Sequence, residues 1–72
     1  MKYLIVIEET DTGFSAYVPD LLGCISVGET RYAIEHNIQE AILLHLDGMK
    51  EDGIDAPTPK TEGVSMLIPR TV

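Results

Sequence analysis

The side chains that could do acid–base, metal or nucleophilic chemistry are twelve carboxylates, two histidines and one cysteine. Two-metal hydrolysis needs several carboxylates converging on ions roughly 4 Å apart. The acids here are Glu8, Glu9, Asp11, Asp20, Glu29, Glu35, Glu40, Asp47, Glu51, Asp52, Asp55 and Glu62. Most fall in turns, on a helix or in a linker. Glu8 and Glu9 are consecutive at the end of an apolar run, so on a strand they point to opposite faces. No acid sits inside that run, and catalysis is not expected. Cys24, His36 and His45 lack the spacing of a zinc site, and no cofactor or metal is expected. Cys24 has no neighbouring base or cation to activate it and reads as a small core residue. His45 reads as a core histidine with one ring nitrogen bonded to the backbone, with a pH-sensitive interface group as the alternative.

The elements that must position these residues centre on Thr30 to Asp52, TRYAIEHNIQEAILLHLDGMKED. Ile34, Ile38, Ala41, Ile42, His45, Leu46 and Met49 recur at three- and four-residue steps and line one face of a helix. Thr30 is suited to cap its start, and Gly53 to close it in the left-handed conformation. Such an apolar face requires a sheet to pack on. Lys2–Glu8 reads as a strand apolar on both alternating sets, hence central and covered on both sides. Glu9–Gly13 is a turn and Phe14–Val18 the returning strand of a hairpin. Pro19–Cys24 is a loop with Leu21 and Leu22 as apolar plugs. Ile25–Gly28 is a third strand. Pro57 and Pro59 hold a linker extended, and Val64–Ile68 is a fourth strand ended by Pro69. The expected architecture is α+β in the order β-β-β-α-β, with one helix on a small mixed sheet and strand four parallel to strand one.

Seventy-two residues, 44% apolar and 24% charged, make one domain, residues 1–72, and exclude a second. A lone core of this size supplies only about 3–5 kcal/mol. With one cysteine there is no disulfide, so oligomerisation is the remaining common support. One helix covers only one face of the sheet. Apolar side chains of strand one and Tyr17 on the other face would form a contact surface. A homo-oligomer, at least a dimer, is expected. No apolar run approaches the ~20 residues of a membrane span, and the N-terminus lacks a signal-peptide pattern. A cytoplasmic protein without a membrane role is expected. The formal charge of −7, with only five scattered cations, argues against a direct grip on nucleic acid. It suits a basic partner.

Several motifs, in order, carry a family resemblance. Pro19-Asp20-Leu21-Leu22-Gly23-Cys24 resembles the PDLPGC loop of HicB-like antitoxins. Gly28-Glu29-Thr30 resembles their entry to the helix. Glu40-Ala41-Ile42, then His45-Leu46-Asp47-Gly48, is similar to their EAI…HLEG helix. Glu51-Asp52-Gly53 with Pro57 and Pro59 resembles their EDG…P-P exit. The resemblance covers nearly the whole chain and implies a partial ribonuclease H-like fold. It also implies neutralisation of a small basic ribonuclease toxin of the HicA type. Leu22 departs from the family's second proline and loosens that turn. Many members carry a C-terminal DNA-binding module. No residues for one follow here, so operator binding by this chain is not expected.

On the outer side of the helix, Tyr32, His36, Gln39, Leu43, Asp47 and Lys50 share one face by spacing, with Tyr32 and Leu43 apolar where water is expected. With Glu40 and Asp47 beside them they suit a basic protein. Tyr32, His36, Glu40, Leu43 and Asp47 are the candidate partner-binding residues. A binding or assembly domain without a toxin, and a degenerate nuclease, are the alternatives. A neighbouring gene for a short basic protein would discriminate the first, and metal-dependent RNA cleavage the second.

Overall fold

The structure is a computed structural model that describes residues 1–71. Its elements are β1 (Val6–Thr10), β2 (Gly13–Tyr17), β3 (Ile25–Gly28) and α1 (Arg31–Glu51). The sheet has the order β1-β2-β3 and both pairings are antiparallel. The α+β class and the helix lying on one sheet face agree with the sequence reading.

Alternation decides which side of the sheet becomes core. In register, Ile7, Ala16 and Ser26 form one row across the strands, while Val6, Tyr17 and Ile25 form the adjacent row on the opposite face. The first row faces the helix. Ala16, Val18, Leu21, Cys24, Ile34 and Ile38 are all buried, and Tyr3, Ile5, Ile7, Phe14, Ala41, Ile42 and Leu46 pack around them. Ile34 and Ile38 are the two helix residues with essentially no exposure. They stand one helical turn apart, so they press on the sheet as a pair.

The helix ends are closed within the chain. Thr30 Oγ1 accepts the Ala33 N–H at 3.0 Å, which supplies a partner for one of the N–H groups a first turn leaves free. At the other end Gly53 takes φ +71°. Its N–H then reaches the Lys50 carbonyl at 3.1 Å and the Ile54 N–H reaches Met49 at 2.8 Å. This paired closure is the Schellman geometry, which favours glycine at that position. Gly28 has a different reason. A Cβ there would lie 2.7 Å from the Ile34 backbone nitrogen, so only glycine lets β3 run this close under the first helical turn.

Five expectations are corrected. Among the described residues the fourth strand does not form: Val64–Ile68 joins no sheet and is exposed throughout. The sheet is therefore antiparallel, not mixed, and contains no parallel crossover. The pattern of Val64–Ile68 is right for a strand, but a strand exists only where an edge receives it. In consequence β1 is an edge strand and β2 is central, the reverse of what an apolar run on both sets implied. The first strand also starts at Val6 rather than Lys2, with residues 3–5 half-buried ahead of it. Finally, only Leu21 plugs the loop after β2. Leu21 is 1% exposed and Leu22 is 95% exposed, because a tight turn carries its neighbours to opposite sides. That turn is pinned by Leu21 N–H to Val18 O at 3.0 Å, Cys24 N–H to Leu21 O at 3.1 Å and Val18 N–H to Cys24 O at 3.2 Å.

Candidate functional site

The helix presents the five proposed residues together. At about 100° per residue, Tyr32, His36, Glu40, Leu43 and Asp47 fall within roughly 80° of arc, opposite Ile34 and Ile38. All five are exposed, and Tyr32 and Leu43 remain 74% and 59% exposed. His36 Nε2 lies 3.5 Å from Glu40 Oε2, one turn on, and Arg31 Nε lies 3.0 Å from Glu35 Oε2. Both pairs are open to water, where such pairs contribute little to stability. Their consequence is local. Arg31 is matched within the helix, and the arc carries Glu40 and Asp47 against one lysine, Lys50, which leaves it acidic.

A second surface lies on the uncovered side of the sheet. Val6, Tyr17 and Ile25 stand in one row, and Glu8, Ser15 and Val27 in the parallel row on the same face. Tyr17 is 42% exposed, and Ile25 and Val27 are each 71% exposed. The expected apolar face therefore exists. The contributions of Ile25 and Val27 were not anticipated, although the alternation of Ile25-Ser26-Val27-Gly28 carried the signal. A third feature is an open groove of about 790 Å³ between β1 and the helix, with Ile5, Ile7, Ile38 and Ile42 among its lining residues.

The groups that could do chemistry are not gathered. Among the described residues no three His, Cys, Asp or Glu side chains come together as a metal-binding group. Glu9 pairs across from Phe14 and Glu8 from Ser15, so their carboxylates diverge. Asp20 is engaged elsewhere. Its Oδ2 accepts the Lys60 and Thr61 N–H groups at 2.8 and 2.9 Å, and its Oδ1 accepts the Thr61 hydroxyl at 2.6 Å. The Thr61 hydroxyl, followed by the Lys60 N–H, holds this carboxyl below the usual carboxylate range. The loop aspartate is thus a clamp for the linker, a role that a local turn signal does not disclose. Cys24 is buried and free, and burial pushes its thiol pKa up, the opposite of activation. His45 is half-buried at the margin of the core. No hydrogen bond ties its ring to the backbone among the described residues, contrary to expectation. Asn37 instead makes the side-chain link from helix to sheet, donating to the Val27 carbonyl at 2.9 Å. No helix among the described residues is long and apolar enough to cross a membrane.

The helix backs a small antiparallel sheet, and exposed apolar groups stand among acids on its outer arc. Comparison with known proteins places this fold in a family. The family described as "HicB_like antitoxin of bacterial toxin-antitoxin system" matches residues 3–69, and the chain belongs to it. It is 40% identical over 68 residues to an uncharacterized 14.9 kDa protein of Haemophilus phage HP1, covering 94% of this chain and 50% of that protein. It is 30% identical over 67 residues to Antitoxin HicB 2 of Photorhabdus laumondii, covering 93% of this chain and 48% of that one. The chain therefore spans about half the length of these two relatives. Among solved structures, a chain of a "HicA3 and HicB3 toxin-antitoxin complex" superposes with a TM-score of 0.72 at 35% identity. That match covers 83% of this chain and 70% of the other.

Proposed function

We propose that this chain binds and neutralises a small basic ribonuclease toxin of the HicA type. The carrying observation is its likeness, at 35% identity and TM-score 0.72, to a chain of a HicA3 and HicB3 toxin-antitoxin complex. The acidic helix arc of Tyr32, His36, Glu40, Leu43 and Asp47 supports a footprint for such a partner. The chain acts by binding rather than catalysis, as the divergence of Glu8 and Glu9 and the engaged state of Asp20 favour. It works in the cytoplasm as a homo-oligomer, at least a dimer, and makes no direct contact with nucleic acid through these residues.

Co-expression with a small basic protein encoded beside it tests the reading. Growth that the partner alone arrests is restored, and the two co-purify at low salt. Failure of both rescue and co-purification overturns the proposal. Opposite charges speed encounter, so association slows as salt rises. Reversing Glu40 and Asp47 to lysine slows it several-fold, while Leu43→Asp shortens the life of the complex by about tenfold or more. If none of these substitutions alters binding, the footprint lies elsewhere. Purified protein leaves RNA intact with Mg²⁺ or Mn²⁺. Cleavage abolished by Glu8→Ala or Asp20→Ala contradicts the non-catalytic reading.

A further inference from the structure

The sheet ends on an open edge. Among the described residues β1 pairs only with β2, so no described strand lies beside the outward backbone groups of Val6–Thr10. Open edges of this kind are templates for another strand. Along the same border runs the groove lined by Ile5, Ile7, Ile38 and Ile42. The edge thus borders a strip of four isoleucines flanked by polar helix residues.

The chain carries an apolar segment and does not use it there. Its base is fixed. Tyr3 Oη donates to the Pro57 carbonyl at 2.6 Å, Asp20 holds Lys60 and Thr61, and Gly63 lies beside Leu4. Beyond this clamp the chain leaves the body. Val64 is 78% exposed, Met66 70%, Leu67 97% and Ile68 67%. The departure dominates the shape. The Cα radius of gyration is 14.7 Å and the long dimension 54 Å, whereas a compact chain of this length has a radius of about 11 Å.

We propose that Val64–Ile68 of each copy pairs as the fourth strand on the β1 edge of a second copy, its apolar side chains filling the groove there. Three observations select this occupant. The arm matches β1 in length, five residues against five. Its charge is complementary: residues 63–72 contain Arg70 and no acid, so they carry +1, while residues 1–62 hold all twelve acids and four cations and carry −8. The edge that receives it presents Glu8 and Glu9. Lastly, a clamped base with a projecting arm suits reciprocal exchange, in which a two-fold pair covers both open edges at once. The proposal rests on the oligomeric part of the function proposed above, and its groove adjoins the proposed toxin footprint through Tyr32 and His36.

The test uses the full chain, with mass measured by light scattering and backbone protection by amide hydrogen exchange. At tens of micromolar the protein is dimeric. Its Val64–Ile68 amides exchange at least about tenfold more slowly than in a dilute monomeric sample. Met66→Pro removes a ladder N–H and leaves a monomer with unchanged helical circular dichroism, because the arm lies outside the folded body. The pair Met66→Glu with Ile68→Glu does the same through its side chains. A dimer that persists in both variants overturns the exchange but leaves the oligomer standing. A wild-type monomer at every concentration overturns both. Arm protection in a monomer, independent of concentration, shows the arm on its own edge and overturns the exchange.

Discussion

The helix Arg31–Glu51 and the arm beyond Gly63 follow each other in the chain and meet opposite conditions. Ile34 and Ile38 are at most 1% exposed, whereas Leu67 is 97% exposed. The helix has its start capped by Thr30 and its end closed through Gly53. The arm has no such partner among the described residues. The difference lies in where the required hydrogen bonds can be found. A helix satisfies its backbone from residues four positions away, so burying one stripe is enough to hold it. A strand needs a second strand for every alternate backbone group, and the sheet of this chain leaves that position beside β1 empty. Apolar alternation therefore specifies what the arm is suited to, without specifying whose sheet it joins.

The largest expected effect separates the two regions directly. Ile38→Ala removes a side chain in the middle of the core, and such deletions cost about 2–5 kcal/mol. A lone core of this size supplies only about 3–5 kcal/mol, so the variant is largely unfolded in a urea titration at low protein concentration. Ile68→Ala, measured in the same dilute sample, shifts the transition by less than about 0.5 kcal/mol. Equal losses would mean that the arm belongs to the monomer core, and the contrast drawn here would fail.

The cap gives a smaller and more local effect. Thr30→Ala removes the acceptor of the Ala33 N–H and costs about 1 kcal/mol. For a domain of this length that lowers Tm by roughly 4–8 °C. Thr30→Ser restores most of it by keeping the oxygen. The same pair of substitutions at Thr58, an exposed linker residue, leaves Tm unchanged. A Thr30→Ala melt identical to wild type would show that helix packing alone fixes that end.

The same division explains what the sequence discloses. The helix, its two ends, the hairpin and the position of β3 follow from signals within a few residues: the cap at Thr30, the left-handed glycine at Gly53, the turn around Asp11 and Gly13. The five helix residues of the proposed footprint share an arc because periodicity alone puts them there. Signals that depend on distant partners are not visible in this way. Leu21 and Leu22 are adjacent and equally apolar, and only the path of the turn sends one into the core. Asp20 reads locally as a turn former, yet its partners lie 40 and 41 residues away. Ile25 and Val27 are exposed together because the helix occupies the other side of the sheet.

The smallest expected effect concerns the clamp that joins the two regions. The hydrogen bonds from Thr61 and Lys60 stabilise the Asp20 carboxylate, so its folded pKa lies below the ordinary value of 3.8. A group with a depressed folded pKa contributes stability above its unfolded pKa and loses it as pH falls through the folded value. The linker is therefore held at neutral pH and released on acidification below about 3.8. The Lys60 and Thr61 amides report this, with rapid exchange and shifted resonances appearing at low pH before the helix melts. Asp20→Asn can set its one oxygen on the Lys60 and Thr61 N–H groups and its NH2 on the Thr61 hydroxyl oxygen, but it lacks the charge that strengthens these bonds, so its linker is held more weakly at neutral pH and shows no such transition. The global melt changes little, because the clamp lies at the surface and holds only residues after the helix. If the amides of Asp20→Asn follow the wild-type pH profile, the carboxylate is not what anchors the arm, and the fixed base from which the arm projects must be sought in the Tyr3 contact to Pro57 instead.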